Sequence, residues 1–331
     1  MERLVILGGG HAAAAAVSKI RSSGFTGKVD LISAEPVAPY QRPPLSKKYL
    51  LGEMSRDQIL LKPERYYHDH DIGLHLGVPA RVINRDKRIV ELSDGGEISF
   101  DRLLIATGAR PRALPPKMID GNPTIFPVRT LDDVDRMAGS FDNNKRVLVI
   151  GGGYIGLEAA AVAAKLGFDV TLVEAAPRIL QRVACSETSD YFRKLHTSHG
   201  VAVLEDTRLE TICGTPESGE ALLGSGKRIS FDFAICGIGI IPETDLASDA
   251  GLIIDNGISV DSTCRTSDPD IFAAGDCASF EFNGRRIRLE SVQNANDQGE
   301  IAAMNMIGGE ETYRPVPWFW SDQFDTKLQI A

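Results

Sequence analysis

Short β-branched apolar runs alternate along the chain with alanine-rich stretches and polar, glycine-punctuated connections. The run Leu4 to Leu7 ends in three glycines, and the stretch after it, HAAAAAVS from His11, is too rich in helix formers to be loop. The same plan returns from Val147, where VLVIGGGYIGLEAA repeats the order of LVILGGGHAAAAAV: strand, three glycines, helix. Each helix leads to another apolar strand ending in an acid, Glu35 in the first copy and Glu174 in the second. The copies also close alike. ISFDRLLIATGARP begins at Ile98 and ISFDFAICGIGIIP at Ile229, so Asp101, Gly108 and Pro111 recur at the same spacing as Asp232, Gly239 and Pro242.

After Pro242 no third glycine fingerprint starts. The chain runs through a strand expected at Ile258 to Val260 into TSDPDIFAAGDCA, and then into a helix expected over Gln293 to Ile307. That helix carries Ala295, Gly299, Ala302, Ala303 and Met306 on one face and stops at Gly308 and Gly309. The pattern predicts an α/β fold of two Rossmann-like dinucleotide-binding domains, the second inserted in the first. Residues 1–113 and 242–317 form the first domain and 114–241 the second, leaving 318–331 as the start of a further, C-terminal domain.

The glycines carry the candidate chemistry. Gly8 and Gly10 permit a tight turn and close approach of a pyrophosphate, with Ala13 in the helix-packing position; Gly151, Gly153 and Gly156 complete the second fingerprint. A helix N-terminus then offers unpaired N–H groups and about half a positive charge to the phosphates. Glu35 and Glu174 are placed to accept hydrogen bonds from adenosine riboses. A 2′-phosphate beside Glu174 would meet repulsion of roughly 4 kcal/mol at 4 Å and an effective dielectric of 20, which favours NADH over NADPH, although Arg178 offsets it. Two nucleotides without a redox cysteine pair imply a flavin beside a nicotinamide. The proline-stiffened loop PVAPYQRPPLSKKYL leaves the carboxyl edge of the first sheet, so Arg42 or Lys47 is a candidate to stabilise negative charge on the flavin ring.

Composition narrows the picture further. The 331 residues hold 36 Lys and Arg against 45 Asp and Glu, and the net charge of −9 has the wrong sign for binding nucleic-acid backbones. No apolar run approaches the 18 or more residues of a spanning helix, and Leu4 to Leu7 is too short for a signal-peptide core. Five cysteines, at 185, 213, 236, 264 and 277, form no CxxC pair and point to a reducing cytoplasm.

Through PYQRPPLSK, LLIATGARP, GGGYIGLEAA, IFAAGDCA, LESVQNA and PWFWSDQFD, the whole chain resembles a known family. These are the FAD-dependent, NADH-linked ferredoxin reductases of bacterial cytochrome P450 and Rieske oxygenase systems, which have the glutathione reductase-type fold. The resemblance implies FAD contacts at Gly8, Gly10, Ala12, Ala13 and Glu35 around the ADP half, and at Arg42 and Lys47 near the isoalloxazine. It adds Ala80, Thr107, Gly108 and Arg129, with Asp276 on the ribityl chain and Val292 reaching the ring by its backbone. For NADH it implies Gly153, Ile155, Gly156, Glu158, Glu174 and Gly239, with Glu158 beside the nicotinamide. Lys47 and Glu158 are the candidate catalytic residues.

The implied activity is hydride transfer from NADH to FAD and single-electron delivery to a [2Fe–2S] ferredoxin that feeds a P450 or Rieske oxygenase. An NADH oxidase and an NADH-sensing flavoprotein are the alternatives. Family members continue past KLQIA into a smaller third domain, which this reading expects to be missing. Trp318 and Trp320 are either ordinary core or, by their place in PWFWSDQ, a flavin-side pair that shields the ring, Trp320 above all, or lines an electron exit. His68, His70 and His75 read as a solvated loop rather than a metal site, and Arg285, Arg286 and Arg288 as a hairpin that could dock an acidic ferredoxin.

Overall fold

Both repeats fold into parallel sheets of the same strand order. The structure is a computed structural model that describes residues 2–141 and 145–331. The first repeat gives β1 (Arg3–Leu7), α1 (His11–Ser22), β2 (Lys28–Ser33), β3 (Ile72–Leu76) and β4 (Arg102–Ile105). The second gives β5 (Ile125–Phe126), β6 (Arg146–Ile150), α2 (Tyr154–Lys165), β7 (Asp169–Val173), α3 (Ser186–Ser198), β8 (Ala202–Leu204) and β9 (Phe233–Cys236). The chain then supplies β10 (Ile271–Ala273), α4 (Val292–Met306), β11 (Phe319–Gln323) and β12 (Thr326–Ile330).

The sheets run β10–β4–β1–β2–β3 and β5–β9–β6–β7–β8. Their centres are buried on both faces, which is why β1 and β6 read as unbroken apolar runs rather than alternating ones. The fifth strand distinguishes the copies: β5 precedes its repeat in sequence, whereas β10 returns after the whole second lobe. Insertion of one lobe into the other produces that difference.

The duplicated ISFD segments have a structural reason. Asp101 accepts the backbone N–H of Arg3 at 2.9 Å, and Asp232 accepts that of Arg146 at 2.8 Å, so each aspartate ties down the first strand of its own sheet. The duplicated closes meet each other. Ala109–Pro111 pairs antiparallel with Ile240–Pro242, so both crossings between the lobes are one two-stranded ribbon.

Small residues let the helices approach closely. A Cβ on Gly299 of α4 would lie 2.4 Å from the carbonyl oxygen of Ala12, so α4 packs directly on the backbone of α1. The buried face of α4 includes Ala295, Gly299, Ala302, Ala303 and Met306, and Ser291 caps it by accepting Asn294 N–H at 3.2 Å. The strand expected at Ile258 to Val260 is shorter, Ile258–Ser259. Residues 319–330 form a hairpin of β11 and β12 whose Phe324 and Leu328 pack against the core of the second lobe.

Candidate functional site

A cleft of about 1130 Å³ lies between the carboxyl edges of the two sheets and reaches both glycine turns. At the first turn Gly8 has φ +134°, and a Cβ there would strike the Ala106 carbonyl at 2.1 Å. Gly10 and Gly153, the N-caps of α1 and α2, have no side-chain cap, and a Cβ on either would enter open space. Each turn is thus a cradle with free N–H donors that a side chain would fill, and both fit the pyrophosphate of a dinucleotide. Gly8, Gly10, Ala12, Gly151 and Gly153 lie on the cleft wall. Ala13 and Gly156 do not. Ala13 is fully buried, and a Cβ on Gly156 would sit 2.0 Å from the Gly151 carbonyl, so both act by packing helix against turn.

Around the first cradle, Glu35 at the end of β2 is held by two side chains: Arg42 at 2.5 Å and the Tyr40 hydroxyl at 2.6 Å. Arg42 also donates to the Arg129 carbonyl at 2.9 Å. Arg42, expected near an isoalloxazine, is thus tied to Glu35, because the short turn that follows the acid returns Arg42 onto it. His11 lies beneath these cations, and burial, then Arg42 and Arg129, lower its pKa to about 4. Arg129 reaches Asp276 at 3.3 Å, and Thr107 donates to the Glu243 carbonyl at 2.8 Å. Ala80, Gly108 and Val292 complete this wall.

Around the second cradle, Glu174 accepts N–H of Gly152 at 2.6 Å and of Ala176 at 2.7 Å. It therefore braces the glycine turn from below while lining the cleft. Arg178, expected to offset a 2′-phosphate repulsion, lines the cleft and donates to Ser189 at 2.6 Å and the Cys185 carbonyl at 3.2 Å. Ile155 and Gly239 face the cleft.

Where the two halves meet, α2 presents Glu158, which is only 4 % exposed rather than a solvated helical acid. Lys47 Nζ lies 3.0 Å from Oε1, Ser321 Oγ donates to Oε1 at 2.6 Å, and Ser46 Oγ donates to Oε2 at 2.6 Å. Burial pushes the Glu158 carboxyl above the ordinary carboxylate range, against the opposing pull of Lys47 and both serines. Lys47 also reaches Asp322 at 3.6 Å and stands 6.0 Å from the Trp320 ring centroid. Trp320 is on the cleft wall and stacks on Trp318 at 5.3 Å. Sequence reasoning missed Tyr40, Ser46, Ser321 and Asp322. Their signal was adjacency alone, since each sits inside or beside a motif already singled out.

Other expectations change. His75 is on β3 and bonds Asp30 at 3.0 Å, and His68 lies in the helix Glu64–Asp69, so these histidines are not one loop. Among the described residues no cluster of His, Cys, Asp and Glu could hold a metal. In the arginine cluster, Arg288 is bound to the Asp276 carbonyl and to Glu290, both at 2.9 Å, and Arg286 to the Ser279 carbonyl at 2.8 Å, while Arg285 is exposed. All five cysteines are free, and Cys236 is the one on the cleft wall.

Comparison with known proteins places this geometry. The chain is 43 % identical to rhodocoxin reductase of Rhodococcus erythropolis over 99 % of its own length and 77 % of that protein. It is 39 % identical to putidaredoxin reductase CamA of Pseudomonas putida, over 100 % of this chain and 80 % of that one. The crystal structure of a covalent putidaredoxin reductase–putidaredoxin complex superimposes with a TM-score of 0.93 at 38 % identity, covering 99 % of this chain and 80 % of that one. Residues 2–299, which contain both glycine cradles and the Lys47–Glu158 pair, match the sequence pattern described as pyridine nucleotide-disulphide oxidoreductase, and the chain belongs to that family.

Proposed function

We propose that the protein is an FAD-dependent NADH:ferredoxin reductase whose electrons pass to a [2Fe–2S] ferredoxin serving a P450 or Rieske oxygenase. The observation that carries this reading is the opening of two glycine cradles into one cleft, with Lys47 and Glu158 at their meeting point. When bound, FAD and NADH supply hydride transfer and the conversion of a two-electron donor into single-electron delivery. The chain's part is placement and charge. The first cradle, Glu35 and Arg42 hold the ADP half of FAD, with Ala80, Thr107, Gly108, Arg129, Asp276 and Val292 along its remaining length. Gly151, Gly153, Ile155, Gly239 and Glu174 hold NADH on the opposite side.

Glu158 fixes the Lys47 ammonium at the cleft wall, where its positive charge favours negative charge developing beside it. Trp320 closes this side against water. Cys236 is an unsuitable redox thiol, since it stands alone on the wall and burial raises its pKa. That argues against disulfide reduction here. No described helix is long and apolar enough to cross a membrane, and the free thiols support a reducing compartment, the cytoplasm.

Anaerobic titration with NADH, followed by a [2Fe–2S] ferredoxin or oxygen, tests the assignment. Bleaching of the flavin and rapid recovery with ferredoxin are expected. A flavin that NADH cannot bleach, or that only oxygen reoxidises, overturns it.

A further inference from the structure

Beyond Glu158 the polar contacts continue into the second lobe. Ser321 on β11 receives Gln323 Nε2–H at 3.1 Å, and Gln323 Oε1 lies 2.9 Å from His196 Nε2 on α3. Ser321, Gln323 and His196 are each 0 % exposed. We propose that His196, Gln323 and Ser321 are positioning residues: a one-way relay of buried hydrogen bonds that orients Glu158 and, through it, Lys47. The proposal rests on the reductase reading above.

The direction of the relay follows from donor and acceptor chemistry. A carboxylate paired with an ammonium accepts only, so Ser321 O–H must point at Glu158. The Ser321 oxygen is then free to accept, and Gln323 must offer it the NH₂ end of its amide. The carbonyl end consequently faces His196, whose Nε2 must carry the proton. His196 Nδ1 has no partner among the described residues, and burial lowers the imidazole pKa, so the ring is neutral with its proton on Nε2. His199 is the ionisable neighbour of His196, while Lys47 and Asp322 are those at the Glu158 end.

His196 thereby locks the amide. Without its donor, Gln323 Oε1 is left buried and unpaired and the amide is no longer held in one orientation; whenever its carbonyl turns to take the Ser321 proton, Glu158 loses a hydrogen bond that favours its charged form. Simple packing would not require this. His196 makes an edge contact with Phe324 at 5.0 Å, which a phenyl ring would reproduce.

The test uses the FAD-loaded protein and three variants: S321A, H196F, and H196Q, whose amide NH₂ can replace the Nε2 donor. Two readouts are the pH profile of anaerobic NADH-driven flavin bleaching and the imidazole ¹⁵N shifts of the wild type. The expected wild-type signal is a neutral His196 with its proton on Nε2. S321A should raise the proton affinity of Glu158 about tenfold, moving the acid limb up by about one pH unit, and H196F should move it the same way. H196Q should restore the wild-type profile. An unmoved profile in S321A and H196F, or a proton on Nδ1, overturns the relay. Should H196F fail to fold, S321A, H196Q and the wild-type spectrum still decide. Wild-type flavin that NADH cannot bleach would sink the reductase reading instead, and the tautomer would still report on the relay.

Discussion

Gly156→Ala separates the two cradles with one methyl group. In the first fingerprint the corresponding position is already Ala13, fully buried and accommodated. In the second, a Cβ on Gly156 would lie 2.0 Å from the Gly151 carbonyl oxygen, far inside ordinary van der Waals contact, which begins near 3.4 Å. Because the obstacle is backbone, α2 and its turn must move apart by roughly 1.4 Å, enough to misplace the N–H groups around Gly153. Overpacking costs about 1–3 kcal/mol, and exchanging Gly for Ala within a helix returns about 1 kcal/mol, so the net loss is about 0–2 kcal/mol and the protein still folds. A displacement of about 1 Å at a binding site costs on the order of a hundredfold in rate. The expected variant keeps its flavin absorbance and a thermal midpoint within a few degrees of wild type. It should bleach with dithionite but need far more NADH than wild type. An unchanged NADH titration would refute the claim that Gly156 sets the second cradle.

Three further outcomes follow from the same geometry. Lys47→Met should destabilise by about 3–5 kcal/mol in urea unfolding, because it leaves the buried Glu158 charge without its ion-pair partner; Glu158→Met should cost less, because the partly buried Lys47 keeps Asp322 at 3.6 Å, and the double variant should recover most of the Lys47→Met loss without regaining NADH-driven bleaching. His11 should make cofactor-free protein sensitive to acid. Its folded pKa of about 4 lies below the ordinary 6.5, so the unfolded chain takes the proton first, and up to about 3 kcal/mol present above pH 6.5 is lost as pH falls towards 4. Thermal unfolding across that window should show a slope that His11→Gln flattens. Arg42→Ala leaves Glu35 with only the Tyr40 hydroxyl, and FAD affinity measured by titration of stripped protein should fall about tenfold.

Local sequence carried the parts of the fold that are local in origin. Strand, glycine turn and alanine-rich helix are contiguous in each repeat, so their order, the insertion and the buried stripe of α4 were all legible. The ISFD repeat was visible as a repeat, but its purpose was not, because Asp101 acts on Arg3 and Asp232 on Arg146, far away along the chain. Arg42 and Lys47 share one basic loop and were indistinguishable in sequence. Only tertiary contacts separate them, by placing Glu35 under one and Glu158 under the other. Ser46 and Ser321 were illegible for a related reason: a serine hydroxyl acquires meaning from its acceptor, and that acceptor lies more than a hundred residues away in either direction.

That distribution bears on why the meeting point is polar at all. An apolar junction of the same volume would hold the segments together at least as strongly. It would also tolerate sliding, because dispersion contacts are non-directional. Glu158 belongs to the second lobe, Ser46 and Lys47 to the first, and Ser321 to the hairpin, and the buried carboxylate is satisfied only when all three are in register. A slip of about 1 Å would lengthen bonds of 2.6 Å beyond useful range and expose the full cost of a buried charge. The ion pair thus converts a permissive packing problem into a steep one, and it does so where the two cradles must face each other at a fixed separation.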